Sequence, residues 1–353
     1  MRQVLLHRTF RSFKLPIAHL KPWHCMTTSS HPSSHNVCKI QPVNATNGST
    51  HVDLFRSLAW EPALPAHLRD FHRLPAMKNW ITDRDREKRS VSFGQKLESF
   101  SDAVVSYELI TSPGAESSAS SSNCLREFQA WLQTQPAQED SRRLLRALVG
   151  QLLESTESGQ SRFLQFDAPL SLITQASRFN GSRYSPSDCI KQLYIAQSDI
   201  RSLPPPLGDD LPVPEVVARA GKGDIYSSSI WLGLQPTYTP LHRDPNPNLF
   251  CQLVGSKAVR LLRPTAGLSV FQDVRRSLGI PGNPRFRGPE MMDGPEREGL
   301  HRAIWISPDA DREIWEAVLG PGDALFIPQG WWHSVRSVGH EAALNASANW
   351  WFR

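Results

Sequence analysis

The sequence has no long apolar run and no close pairing of cysteines. No stretch of eighteen or more apolar residues occurs in its 353 residues, so neither a transmembrane helix nor a membrane partner is predicted. The five cysteines are scattered and form no CxxC motif, which argues against a disulfide scaffold and against a zinc finger. The length allows one large domain or two modest ones, and 39% hydrophobic residues can form a core.

Acidic residues are missing from the first 52 positions, and Asp53 is the first of them. The chain carries 39 basic and 34 acidic residues, a formal net charge of +5. The basic residues of the acid-free segment are Arg2, Arg8, Arg11, Lys14, Lys21 and Lys39. The rest of the chain is therefore close to neutral, and its charge gives no argument for a nucleic-acid surface on the folded body.

Residues 1–50 are predicted to be a basic leader without a fold of its own. Leu6, Phe10 and Phe13 form one apolar stripe among the arginines, and a Ser- and Thr-rich stretch follows. An arginine-rich, hydroxyl-rich, acid-free amphipathic segment is typical of a mitochondrial transit peptide. We therefore expect a mitochondrial location, with cytoplasm or nucleus as the alternative. A disordered basic tail, or initiation at Met26, would also account for the pattern.

Two regions with different patterns follow the leader. Residues 53–189 are predicted to be mainly helical, with "CLREFQAWLQTQ" and "SRRLLRALVGQLLEST" as helices, "SDAVVSYELI" as a strand and 111–123 as an exposed low-complexity loop. Residues 190–353 contain short β-type runs between Pro/Gly turns, interrupted by an insert at about 265–319 with one helix-like piece, "DADREIWEAVL". The β-type runs are "QLYIAQ", "IYSSSIWLGL", "LFCQLVG", "KAVRLLRP", "DALFIP", "WWHSVRSV" and "ALNASANWWF". This order predicts an α+β chain with a β-barrel or jelly roll in its C-terminal half.

A histidine and an aspartate two positions apart lie in "TPLHRDPNPNLFCQLVGSK", residues 239–257. On a strand, His242 and Asp244 would point to the same face, although an HxD alone is weak support for a metal site. His333, in "GPGDALFIPQGWWHSV", is the candidate third ligand; a histidine beside tryptophans is otherwise a hydrogen-bonded core residue. Two histidines and one carboxylate form the facial triad of non-haem Fe(II) oxygenases.

Three segments carry a family resemblance: "YTPLHRDPNPNLFCQLVGSKAVRLLRP", "GPGDALFIPQGWWHSV" and "NASANWWF". They resemble the JmjC-domain (cupin-like) Fe(II)/2-oxoglutarate-dependent oxygenases, most closely the small JmjC hydroxylases. The resemblance covers roughly 190–353 and extends weakly upstream. It implies a double-stranded β-helix (jelly roll or cupin) core in the C-terminal half, with the helical part 53–189 packing on the barrel. It also implies Fe(II), the co-substrate 2-oxoglutarate and O2.

The resemblance implies a role for each matching residue. The iron ligands would be His242, Asp244 and His333. The residues matching contacts to 2-oxoglutarate are Lys257, Thr239, Asn248, Tyr194 and Asn349, with Lys257 neutralising the far carboxylate. The residues that could wall the substrate pocket are Trp231, Gln197 and Trp351. Each of these has an alternative role in packing or in a turn, and Thr239 requires a kink at Pro240 to face the iron.

The activity implied by the resemblance is hydroxylation of a protein side chain, with release of succinate and CO2. The HxD sequence fits, since many lysine demethylases carry HxE. Demethylation of N-methyl-lysine or N-methyl-arginine by the same chemistry is the alternative, and a non-catalytic binding module is another. RNA modification stays open because the insert contains Arg275, Arg276, Arg285 and Arg287.

Overall fold

Short apolar runs between turns form the strands that dominate the C-terminal half, and several of these strands, such as β11 (Asn248–Val254), are buried along their whole length. The computed structural model describes residues 37–40, 42–44, 52–82, 92–111, 115–135, 139–157, 163–279 and 292–353, which all lie within one unit, Ser33–Arg353. The strands of these ranges are β1 (Val37–Lys39), β2 (Val43–Asn44), β3 (Ala66–Arg69), β4 (Ile81–Thr82), β5 (Ser92–Phe93), β6 (Val104–Ile110), β7 (Phe163–Pro169), β8 (Leu193–Asp199), β9 (Ile225–Leu234), β10 (Tyr238–Arg243), β11 (Asn248–Val254), β12 (Ser256–Leu262), β13 (Ile314–Leu319), β14 (Ala324–Ile327), β15 (Trp332–Val338) and β16 (Leu344–Phe352).

The helices surround the strands. They are α1 (Val52–Phe55), α2 (Ala76–Asn79), α3 (Gln95–Glu98), α4 (Ala115–Thr134), α5 (Glu139–Glu157), α6 (Ser171–Gly181), α7 (Pro205–Gly208), α8 (Glu215–Arg219), α9 (Pro264–Ser277) and α10 (Gly294–His301). Single 3₁₀ turns occur at Pro186–Asp188 and Ile200–Ser202, and π-helical turns at Arg56–Trp60 and Arg302–Ile306. Among the described residues, no helix combines the length and the hydrophobicity needed to cross a bilayer.

Two mostly antiparallel sheets form a sandwich. The smaller sheet has the order β1-β13-β12-β15-β10, and the larger has the order β2-β3-β14-β11-β16-β9-β8-β6-β7. Apolar side chains from both sheets fill the space between them, including Phe250 and Leu325 from the larger sheet and Val259 and Leu261 from the smaller. The expected α+β jelly roll is confirmed.

Helices cover both outer faces of the sandwich. The long helices α4, α5 and α6 bury Phe128, Val149 and Phe179 in a cluster that continues onto the outer face of the larger sheet. The helices α9 and α10 bury Val270 and Leu300 against the smaller sheet. The interior between the two sheets is therefore a separate layer, shielded by protein on both sides.

Three sequence predictions need correction. Part of the predicted leader is folded: β1 pairs with β13, β2 pairs with β3, and Ile40 is buried between the sheets. The stretch 115–123 is not a loop but belongs to α4, in which Ser122, Cys124 and Leu125 are buried. The supposed helix in "DADREIWEAVL" contains β13 instead, since pairing with β12 outweighs its helical spacing.

The region 53–189 also contributes strands, with β6 and β7 extending the larger sheet beside β8. Each of the seven predicted β-type runs contains a strand, but β10 was not among them. Residues 1–36 and 280–291 lie outside the described part of the chain. Among the described cysteines, Cys38 is disulfide-bonded, while Cys124, Cys189 and Cys251 carry free thiols.

Candidate active site

Two neighbouring strands bring the predicted iron ligands together inside the sandwich. His242 on β10 lies directly opposite His333 on β15, and their ring centroids are 4.1 Å apart. Asp244 follows the end of β10, with its carboxylate oxygens 3.9 Å from Nε2 of His242 and 3.6 Å from Nε2 of His333. All three ligand atoms lie within 4.8 Å of one another, a spacing at which one metal ion can contact each of them.

Main-chain carbonyls orient both imidazole rings. Nδ1 of His242 lies 2.8 Å from the Pro240 carbonyl oxygen, and Nδ1 of His333 lies 3.3 Å from that of Trp331. Because a carbonyl can only accept, these contacts place the ring proton on Nδ1 and leave the Nε2 lone pair for a metal. Burial, reinforced by the charge of His242, lowers the pKa of His333 to about 4, so this ring is neutral at physiological pH.

The carboxylate of Asp244 is held by two neighbouring side chains. Nε1 of Trp351 donates to its Oδ2 at 2.7 Å, and Nδ2 of Asn248 donates to the same oxygen at 3.1 Å. Although burial opposes ionisation, the nearby His333 and His242 and these two donors hold the pKa of Asp244 below its usual value. Asn349 donates to Oδ1 of Asn248 at 3.0 Å. Trp351 and Asn248 therefore orient the carboxylate of Asp244, and the donor groups that make these contacts are not free to bind a co-substrate.

A β-bulge turns Thr239 towards the same interior as His242. Thr239 pairs with Val335 and His242 pairs with His333, so three steps on β10 match two on β15. The extra residue shifts the alternation, and both side chains then face the interior despite their odd spacing. The required kink lies at Pro240–Leu241, and Thr239 lines a cavity together with Tyr194 and Trp231.

Lys257 lies at the other end of the same interior. Its side chain is 3% exposed, and Nζ donates to Tyr194 Oη at 2.7 Å and to Ser347 Oγ at 2.9 Å. Burial lowers the pKa of Lys257 to about 7. Within the described part of the chain, no carboxylate forms an ion pair with it. A buried ammonium without a counter-charge is costly, so this position favours a bound anion.

The spacing along β12 separates the two ends of the site. Leu261 is the residue opposite His333, and Lys257 lies four positions earlier on the same strand. Four residues of a strand span about 13 Å. The ammonium and the candidate metal ligands therefore start from backbone positions on neighbouring strands that are separated along the sheet by about this distance.

Two residues of this site were not among those predicted from the sequence. Ser347 contacts Lys257, and it lies on the alternation Asn345, Ser347, Asn349, Trp351 along β16, a period-2 pattern that could have revealed it. Glu108 on β6 lies opposite Tyr194 and lines the cavity with Trp231 and Thr239. Burial raises the pKa of Glu108 to about 7. No local motif marks Glu108, because β6 reaches the site only through sheet pairing.

Two predicted pocket residues differ in their surroundings. Trp231 lines this cavity, its ring centroid is 5.8 Å from that of Tyr194, and its Nε1 has no hydrogen-bond partner. Gln197 instead lies exposed at an irregularity of β8, with a φ of 52°, and does not line the cavity. The local bulge directs Gln197 to solvent, in contrast to the expected role beside Trp231.

Comparison with known proteins agrees with this geometry. A family model described as a cupin-like domain matches residues 65–353. The chain belongs to this family. It is 31% identical to lysine-specific demethylase 8 of Danio rerio over 160 residues, which are 45% of this chain and 36% of that protein.

Two further cupin-like relatives give a similar picture. The chain is 26% identical to lysine-specific demethylase JMJ30 of Arabidopsis thaliana over 208 residues, 59% of this chain and 44% of that protein. It is 32% identical to JmjC domain-containing protein F of Dictyostelium discoideum over 180 residues, 46% of this chain and 36% of that protein. The matched regions therefore span less than half the length of each of these relatives.

The residues of this cupin-like site fit the groups that the family implies. Two imidazoles and one carboxylate suit Fe(II), and three protein ligands leave positions open on an octahedral ion. Oδ1 of Asn349 is buried and has no partner, so a polar group beside Asp244 and Asn248 would satisfy it. The buried cation of Lys257 fits one end of a dicarboxylate such as 2-oxoglutarate.

Proposed function

We propose that this cupin-like protein is an Fe(II)- and 2-oxoglutarate-dependent oxygenase that hydroxylates a protein side chain. The observation that carries the proposal is the cluster of His242, Asp244 and His333, whose ligand atoms lie within 4.8 Å of one another. This cluster faces the same interior as Lys257, a buried lysine that donates to Tyr194. When bound, Fe(II) with 2-oxoglutarate and O2 would supply the oxidation that inserts oxygen into a C–H bond and releases succinate and CO2.

The side chains of this chain perform the binding and positioning steps. His242 and His333 present Nε2 because main-chain carbonyls occupy their Nδ1 protons. Trp351 orients the carboxylate of Asp244. Lys257 neutralises the remote carboxylate of the co-substrate, and the apolar layers around the sandwich exclude water from the reacting groups.

The cavity beside Lys257 supports a basic side chain as the substrate group. Its lining includes Glu108, Trp231 and Gln192. A cation that enters this cavity can pair with Glu108 and stack on Trp231, and the pairing would lower the pKa of Glu108 from about 7. A lysine or arginine side chain of a protein carries such a charge.

Demethylation is the second candidate because two of the relatives are named lysine-specific demethylases. The same Glu108 would accept an N-methylated cation, so the cavity does not separate the two reactions. RNA modification has less support. Arg275 is buried in an ion pair with Glu296, and Arg276 forms an exposed pair with Asp273 on the same helix; Arg285 and Arg287 lie outside the described residues.

Turnover without a protein substrate tests the oxygenase proposal. We expect Fe(II)-dependent succinate release from 2-oxoglutarate, abolished by Asp244→Ala and by Lys257→Met. His340→Ala, which removes an exposed histidine on the loop after β15, serves as the matched control and should retain the wild-type rate. Equal rates for Asp244→Ala and wild type would refute the enzyme and favour a non-catalytic binding module.

Peptide libraries test the substrate. Incubation with Fe(II), O2 and 2-oxoglutarate should add one oxygen to a Lys- or Arg-containing peptide, as read by mass spectrometry; loss of a methyl group with release of formaldehyde would indicate demethylation instead. Glu108→Gln should weaken peptide turnover while leaving 2-oxoglutarate binding intact. Undiminished turnover of basic peptides by this variant would exclude the proposed role of Glu108.

We further propose mitochondrial import, which rests on the acid-free, arginine-rich start of the sequence. Residues 1–36 fused to a fluorescent protein should direct it to mitochondria. A diffuse cytoplasmic or nuclear signal would contradict the proposal.

A further inference from the structure

A group of basic side chains lies on the outer face of the smaller sheet, away from the proposed iron site. We call Tyr238, Arg297, His301 and Arg336 the outer-face cluster. Tyr238 on β10 is paired directly with Arg336 on β15, so their side chains emerge next to each other. Helix α10, which belongs to the insert, places Arg297 and His301 above them.

The contacts within the outer-face cluster are close. Cζ of Arg297 lies 4.8 Å from the ring centroid of Tyr238, and the His301 ring meets the same tyrosine edge-on with centroids 4.9 Å apart. Arg336 stacks on Trp305, with its Cζ 4.3 Å from the ring centroid. Tyr238 thus has a guanidinium, an imidazole and a second guanidinium around it.

The positive charge of the outer-face cluster is not balanced by ion pairs. The neighbouring Arg260 is neutralised by Glu316 at 2.7 Å. Neither Arg297 nor Arg336 has a carboxylate within ion-pair distance in the part of the chain that the structure describes, and Nε of Arg297 is buried without a hydrogen-bond partner. Asp293 and Glu298 act on Arg297, and Glu316 acts on Arg336, only from a distance.

The electrostatic state of these groups is consistent with a missing anion. Burial lowers the pKa of Arg297 and that of Arg336. Burial and the charges of Arg297 and Arg336 lower the pKa of His301. A partly dehydrated guanidinium without a counter-charge is costly, whereas an oxyanion between two such groups would accept charge-assisted hydrogen bonds from their planar forks.

We propose that Arg297 and Arg336, with His301, form a binding site for an oxyanion of the phosphate-monoester class on the outer face of the sheet. All three side chains are half-buried rather than buried, so a ligand can reach them. Tyr238 and the next residue, Thr239, point to opposite faces of β10, yet both line the cavity that contains Glu108 and Trp231, so the outer-face cluster adjoins this cavity at Tyr238. Its ligand would contact the strand that also carries His242.

Phosphate titration tests the site. The protein is loaded with Mn(II) and 2-oxoglutarate, so that the iron ligands and Lys257 are occupied, and inorganic phosphate is titrated at constant ionic strength against chloride. Calorimetry and thermal unfolding report binding. We expect saturable binding and a rise in melting temperature with phosphate only. Arg297→Gln and Arg336→Gln should each weaken phosphate binding by tenfold or more. A second arm with O-phosphoserine distinguishes a phosphorylated side chain from free phosphate as the source.

Arg276→Gln is the matched control, since it removes one exposed guanidinium from the same insert and should leave phosphate binding unchanged. Equal responses to phosphate and chloride, or equal weakening in Arg276→Gln, would overturn the proposal. If the glutamine variants do not fold, the His301 ring protons of the wild type provide an independent readout by NMR. Phosphate should shift them, and constant shifts would also overturn it. None of these measurements depends on oxygenase activity, so the two proposals fail separately.

Discussion

The co-substrate affinity should depend on pH through Lys257. Burial lowers the pKa of this lysine to about 7 in the free protein. A bound carboxylate at Nζ would raise it, because an opposite charge favours the ammonium. The complex therefore holds more protons than the free protein above pH 7, and by linkage the affinity for 2-oxoglutarate must fall as the pH rises through 7.

The size of the effect follows from the fraction of charged lysine. With a pKa of about 7, Lys257 is about 90% protonated at pH 6 and about 10% protonated at pH 8. If only the ammonium form binds, the dissociation constant for 2-oxoglutarate rises about tenfold between these pH values. At pH 8, each bound molecule should be accompanied by uptake of about 0.9 proton, because about 90% of the free protein holds Lys257 in its neutral form and must protonate it on binding.

Calorimetry measures both quantities. Titrations with Mn(II) in place of Fe(II) prevent turnover, and buffers with different ionisation enthalpies give the proton uptake. Glu108 also has a pKa of about 7 and lies near the site, so Glu108→Gln is the necessary control. The tenfold effect should persist in this variant and disappear in Lys257→Arg, whose guanidinium does not titrate. A pH-independent affinity in the wild type, or an effect abolished by Glu108→Gln, would refute the reasoning.

Three further predictions follow from contacts around the site and in the core. Trp351→Phe removes the 2.7 Å hydrogen bond to Asp244 and should weaken Mn(II) binding by about 10- to 100-fold in a metal titration. An unchanged Mn(II) affinity would contradict this role of Trp351. Gly233→Ala would place a Cβ 2.1 Å from Cδ2 of Tyr194; we expect about 1–3 kcal/mol of lost stability in urea unfolding together with weaker 2-oxoglutarate binding. Burial lowers the pKa of His72 to about 4, so its neutral form is favoured by folding, and acidification from pH 7 to pH 5 should cost about 2 kcal/mol of stability. His72→Gln should reduce that loss, and an identical pH dependence in the variant would contradict the assignment.

The local sequence predicted much of the chemistry because the ligand types and their spacing are local. His242 lies on β10, Asp244 follows its end, and His333 lies on β15. His242 pairs directly with His333 across the two strands, which agrees with the arrangement expected for three ligands of one metal ion. The alternation of Asn345, Ser347, Asn349 and Trp351 was equally readable, since period 2 on a strand fixes the face. Lys257 was predicted to face the co-substrate, and the structure buries it in the same interior as His333.

Long-range pairing decided what local patterns could not. The fragment around Ile314 has helical spacing, yet it forms β13 because β12 and β1 flank it on both edges. The run 115–123 is rich in serine, yet it forms the first part of α4. Thr239 faces the interior only because a bulge shifts β10 against β15, and no residue pattern announces that shift.

The sequence by itself determined the donor set: two imidazoles, one carboxylate and one lysine, carried on strands whose alternation points them inward. Only the tertiary structure decided which distant groups join them. Glu108 reaches the cavity from β6 because that strand pairs with β8, and Arg297 reaches Tyr238 because α10 packs on the outer face of the smaller sheet. The physical reason is that strand pairing and packing connect residues far apart in the chain, and burial then sets the charge state of each group, as with the ammonium of Lys257.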